Sequence, residues 1–116
     1  PSLANSIKVV TEITPIEMSI TALPTPRNLV VISDLKNSYG NRTVNLQWSA
    51  PSNPPYGISS YKIYRNGAFL KSVGNSILST SDSLSTDYSQ KTYYITVVYS
   101  NGAESGSSNI VKTTPS

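Results

Sequence analysis

Apolar and polar residues alternate along most of this chain, in short stretches separated by turn-forming residues. Val44, Leu46 and Trp48 alternate with Asn45 and Gln47, the period-2 pattern of a strand with one buried face. Pro51, Pro54 and Pro55 then stop the ladder, because proline has no N–H to give it. Alternation resumes with Tyr61 and Ile63 on one side and Lys62 and Tyr64 on the other, up to Asn66-Gly67. That pair suits a two-residue hairpin turn, since both residues tolerate positive φ. Phe69, Leu70 and Val73 carry the return strand.

The same reading predicts seven strands, near 28–33, 43–49, 59–66, 68–73, 76–80, 91–100 and 108–113. Turn signals separate them: Ser38-Tyr39-Gly40-Asn41, the proline loop, Asn66-Gly67, Gly74-Asn75, the stretch Ser81 to Gln90, and Asn101-Gly102. No stretch keeps a helical period. Many short strands at this spacing predict an all-β sandwich.

Residues 1–23 stand apart. Ile7, Val9, Thr11 and Ile13 alternate with Lys8, Val10, Glu12 and Thr14. After Pro15, Ile16, Met18 and Ile20 alternate with Glu17, Ser19 and Thr21. This is a strand-like extension, or the end of a preceding domain, joined through the stiff Pro24-Thr25-Pro26 to a domain spanning 24–116. The apolar residues Ile7, Val9, Ile13, Ile16, Met18 and Ile20 form a candidate assembly segment.

Composition narrows the chemistry. Hydrophobic residues make up 37% of the chain and charged residues 13%, so the polar faces are largely Ser, Thr and Asn. The net charge of +3 comes from basic residues that never form a run, which argues against nucleic acid as a partner. No apolar stretch is long enough for a membrane span. With no Cys and no His, disulfides, thiolate catalysis, zinc fingers and imidazole acid–base chemistry are excluded. The acids Glu12, Glu17, Asp34, Asp82, Asp87 and Glu104 are dispersed, so no paired carboxylates are expected, and the reading is of a protein that is not an enzyme and takes no cofactor or metal.

Residues 24–116, about four-fifths of the chain, resemble a fibronectin type III domain of microbial or viral type. The resemblance is carried by Pro26-Arg27-Asn28-Leu29, by Trp48 with Pro51 behind it, and by Ile58, Tyr61 and Ile63 leading to Tyr64-Arg65-Asn66-Gly67. Thr92-Tyr93-Tyr94-Ile95-Thr96-Val97 and Asn101-Gly102-Ala103-Glu104-Ser105 complete it. It implies a seven-stranded immunoglobulin-like sandwich with an extra N-terminal strand-like segment. Trp48 should be buried beside Leu46, Tyr61 and Ile63. Tyr93 should turn inward and give its hydroxyl to a backbone group in Ser81–Gln90. The family's Leu-x-Pro-Gly ahead of that tyrosine is absent, so Leu84 or Tyr88 should plug that end. The Arg-Gly-Asp integrin motif is absent too.

Four features bear on binding. Tyr64, Tyr94 and Val98 should share the outward face of the sheet built from the third, sixth and seventh strands, a candidate partner or glycan face. Tyrosine's preference for strands explains the same pattern without a ligand. Asp82 and Asp87 fall in an expected loop, where capping of turns is favoured over calcium. Asn41-Arg42-Thr43 is an N-glycosylation sequon, with Asn41 as the acceptor in a glycosylating host. Val30 and Ile32 should face outward on the first strand, where a free-standing sandwich would carry polar residues.

These observations predict a non-catalytic structural or interaction module of an extracellular, cell-surface or virion assembly, such as a fibre, tail or appendage. Strand edges and outer faces would join it to protein partners, either copies of itself or other subunits. The alternative is an accessory spacer or weak carbohydrate-binding module of a secreted microbial hydrolase.

Overall fold

The computed structural model describes residues 22–114. Seven strands form: β1 Arg27–Lys36, β2 Arg42–Ser49, β3 Ile58–Arg65, β4 Ala68–Gly74, β5 Ser79–Ser85, β6 Thr92–Tyr99 and β7 Val111–Lys112. They make two antiparallel sheets, one ordered β1-β2-β5 and the other β4-β3-β6-β7. No helix occurs among the described residues. The candidate assembly segment from Ile7 to Ile20 lies outside them.

The inner faces meet in one core, to which β2 contributes Val44, Leu46 and Trp48, β3 Tyr61 and Ile63, and β6 Tyr93, Ile95, Val97 and Tyr99. Leu29 and Leu84 close the cluster. Trp48 meets Tyr61 edge to face, with ring centroids 5.7 Å apart. The indole Nε1 and the Tyr61 hydroxyl are both buried, and neither has a hydrogen-bond partner among the described residues. Arg65 pairs with Ala68 across Asn66 and Gly67, whose φ values of 54° and 80° give the positive-φ hairpin expected from the sequence.

Three elements differ from expectation. The fifth strand lies at Ser79–Ser85, not near 76–80, and so takes in much of what reads as a loop. Polar residues fill it because it is an edge strand with only two buried positions, Asp82 and Leu84. The seventh strand shrinks to two residues. Before and after it the chain pairs with β6 through side chains as well as backbone. Ser105 donates its backbone N–H to Val97 and accepts that residue's N–H on its own hydroxyl, at 2.9 and 3.0 Å. Ser108 does the same to Ile95 at 2.8 and 3.0 Å, and Thr113 to Lys91 at 2.9 and 2.8 Å. All three hydroxyl residues are buried, and each acts in place of a ladder carbonyl.

The third difference is in β1. Its pairing with β2 shifts between Arg27 and Val30 and again between Val31 and Ser33. The second shift leaves Ile32 as an extra residue. Strict alternation from Leu29 and Val31 would turn Leu35 inward and Asp34 outward. After the bulge Ser33 lies opposite Asn45, Asp34 opposite the buried Val44, and Leu35 opposite Thr43 on the outer face. The Asn45 amide donates to the Ser33 hydroxyl at 2.8 Å, which confirms that these two share a face.

Candidate functional site

The bulge delivers Asp34 to Arg42. Arg42 is 2% exposed, and its guanidinium donates four hydrogen bonds. Nε and Nη2 donate to the two Asp34 carboxylate oxygens, each at 2.8 Å, and Nη1 donates to the carbonyls of Asp87 and Ser89 at 3.1 and 2.7 Å. The Arg42 hydrogen bonds hold the Asp34 carboxyl below the usual carboxylate range, while Asp34 raises the arginine. Tyr88 donates to the Gly40 carbonyl, with the Lys36 ammonium 4.1 Å from its ring centroid. Gly40 has φ +81°, and a Cβ there would lie 3.0 Å from the Tyr88 hydroxyl. The connection after β5 is therefore clamped by Arg42 and Tyr88, while Leu84, also buried, fills the core beside it. This is the end where the family's Leu-x-Pro-Gly is missing.

Asp82 sits on β5 rather than in a loop, 5% exposed, and takes both a salt bridge from Arg65 at 2.8 Å and the Tyr93 hydroxyl at 2.6 Å. Tyr93 does turn inward, but its acceptor is this carboxylate, not a backbone group. Burial, and then the bond to Asp82, push the phenol well above its ordinary value. Asp87 behaves as a cap: its Oδ1 accepts from the Ser89 N–H and hydroxyl, and Lys91 reaches Oδ2 at 2.6 Å. The Lys91 and Ser89 hydrogen bonds depress its pKa. Each of these carboxylates is neutralised by its own cation, and among the described residues no three acidic side chains converge as metal ligands.

On the outer face of the four-stranded sheet, Tyr64 and Tyr94 are register partners, with ring centroids 4.8 Å apart and planes within 11° of parallel. Phe69 meets Tyr64 edge-on at 6.0 Å. Glu104 accepts from the Tyr64 hydroxyl at 2.6 Å, the Thr96 hydroxyl at 2.7 Å and Lys62 at 3.4 Å. Hydrogen bonds from Tyr64 and Thr96 lower its pKa, and the bond to Glu104 raises that of Tyr64. Val98 is half-buried and bridges to Glu104 through the backbone. The three residues singled out from the sequence are thus brought to one patch. Glu104, Thr96 and Phe69 belong to it too; Thr96 shares the strand period of Tyr94 and Val98, whereas no local pattern marks Glu104 or Phe69.

On the outer face of the other sheet, Val30, Ile32 and Leu35 are 49%, 55% and 64% exposed, in a row along edge strand β1. Ile32 walls a shallow depression of about 500 Å³, with Ser33, Asn45, Lys71, Ser79 and Ser81 around it. Asn41 is exposed in the loop between β1 and β2, and neighbouring Arg42 is the buried clamp.

No protein-family model and no curated protein matches the chain. Solved structures do. The fibronectin type-III domain of human fibronectin type III domain containing protein 3 matches 84% of this chain and 89% of its own, at 21% identity and TM-score 0.59. The chain has the fibronectin type III fold. The central fibronectin-III array of RIM-binding protein matches 75% of the chain at 22% identity and TM-score 0.59, over 30% of that structure's length. A family 28 exopolygalacturonase of Yersinia enterocolitica matches 78% at 15% identity and TM-score 0.60, over 20% of its length. The chain thus spans less than a third of the length of these last two matches. No helix among the described residues is long and apolar enough to cross a membrane.

Proposed function

We propose that this fibronectin type III domain is a non-catalytic structural and interaction module of an extracellular, cell-surface or virion assembly, joined to protein neighbours through strand edges and outer sheet faces. The observation that carries the reading is the row Val30, Ile32, Leu35. Apolar side chains grouped on an edge strand are an association surface rather than scattered exposure. Ser79, Ser81 and Ser83 on β5, with Thr43, Asn45 and Gln47 on β2, give the same face a low-charge polar surround. Every acidic side chain on the sandwich either neutralises a cation or accepts from hydroxyls, so none is poised as a general base.

A second reading, an accessory module of a secreted hydrolase that binds carbohydrate weakly, is supported by the likeness to part of an exopolygalacturonase. The geometry of the tyrosines weighs against it. Sugar stacking needs an open ring face; the mutual stack leaves Tyr64 and Tyr94 at most one each, and Phe69 also packs edge-on against Tyr64. Affinity electrophoresis through immobilised plant and bacterial polysaccharides separates the two. The module reading expects no retardation. Retardation that disappears in Tyr64→Ala/Tyr94→Ala would refute it in favour of glycan binding.

A further inference from the structure

We infer that the Val30–Leu35 face of β1 is the docking site for residues 7–20 of a second copy of this chain. The inference rests on the module reading above and names its partner. Three observations carry it. The first is the surface itself. The bulge at Ile32 places a third apolar side chain, Leu35, outside, and Ile32 itself also walls a shallow depression that extends over β2 and β5. On the side away from β2, the Asn109 carboxamide takes both backbone groups of Leu29, each at 2.9 Å. Beyond that clip, no strand among the described residues pairs with β1, and from Ser33 to Lys36 its register with β2 is regular.

The second observation is the path of the chain before β1. Leu23 packs against the core, the Tyr99 hydroxyl donates to the Pro24 carbonyl at 2.6 Å, and Pro26 is buried. These contacts hold the joint where a hairpin back onto β1 of the same copy would have to turn. The 21 residues preceding Ala22 reach about 70 Å when extended, enough to lie along a neighbour.

The third observation is complementarity. Ile7, Val9 and Ile13 before Pro15, and Ile16, Met18 and Ile20 after it, supply two short apolar runs at strand spacing for an apolar row. The segment carries Glu12 and Glu17 against one basic residue, Lys8, and the exposed charges of β1 are Arg27 and Lys36. A segment of one copy on the flank of the next is a heterologous contact, which propagates into a chain of copies unless it closes.

The test uses the full chain in sedimentation velocity over a concentration series, with two variants. Ile32→Lys spoils the acceptor and Ile16→Lys the donor. Wild type should assemble with concentration. Each variant alone should dissociate at least about thirtyfold more readily, the effect of losing a hot-spot residue. An equimolar mixture should recover association, because each variant supplies the half the other lacks. Wild type that stays monomeric to millimolar concentration, a variant that assembles like wild type, or a mixture that stays monomeric would each overturn the inference. The polysaccharide result above is independent of these outcomes and alone bears on the module reading. Trp48 fluorescence reports folding of each variant, and Ile32→Ser replaces Ile32→Lys should the lysine unfold the domain.

Discussion

Arg42→Ala is the most informative single change to this domain. It removes four donated hydrogen bonds at once, two to Asp34 and one each to the carbonyls of Asp87 and Ser89. Breaking a buried ion pair by deleting one partner costs about 3–5 kcal/mol, because the surviving charge is stranded. The Asp34 side chain is 25% exposed and recovers some hydration, so about 2–4 kcal/mol is the better figure. Urea melts followed by the single tryptophan read this directly. With a urea slope of about 1 kcal/mol per M, the midpoint should fall by about 2–4 M at neutral pH. Arg42→Lys should recover little of it, since an ammonium cannot reproduce the fork. The loss should also depend on pH. Asp34 is held below its unfolded value of about 3.9, so its contribution is present above about pH 4 and is lost as pH falls through the folded value. The gap between wild type and variant should therefore narrow in acid. A midpoint within about 0.5 M of wild type, or a gap that persists undiminished near pH 2, would refute the clamp.

Five further substitutions test the packing. Trp48→Ala should cost about 3–5 kcal/mol and leave a largely unfolded chain, which far-UV dichroism would show as loss of a cooperative melt. Tyr93→Phe loses a bond to a buried carboxylate and should cost about 1.5–3 kcal/mol, whereas Tyr94→Phe on the outer face should change the urea midpoint little. Tyr61→Phe removes a buried hydroxyl without a partner among the described residues, so thermal melts should show it neutral or up to about 1 kcal/mol more stable. Ser108→Ala strands the Ile95 N–H and should cost about 1–3 kcal/mol, with faster hydrogen exchange at Ile95 as its local signature.

The sandwich was legible wherever one face of a strand is buried on both sides by apolar neighbours. Val44-Leu46-Trp48 and Tyr61-Ile63 announce their faces by alternation, and the structure buries all five. Asn66-Gly67 announces its turn because few residue pairs adopt two successive positive φ values cheaply. The outward placement of Tyr64 and Tyr94 follows from the same period. β5 is not legible for the converse reason: an edge strand of Ser and Thr carries no apolar period, and its one buried acid is stabilised by partners 17 and 11 residues away.

What the sequence by itself determined is the class: two sheets, the core-facing residues of β2 and β3, the hairpin, and the lack of the side chains that common catalysis needs. Those properties are local, because they depend on period, turn conformation and residue chemistry. Only the tertiary structure decided that Asp34 faces Arg42 while Leu35 faces water, since that turns on one extra residue in the pairing of β1 with β2. It alone decided that Ser105, Ser108 and Thr113 complete the ladder of β6, and that Glu104 gathers Tyr64, Thr96 and Lys62. A hydroxyl or carboxylate can satisfy many partners, and which one it meets depends on the strand laid beside it rather than on its neighbours in the chain.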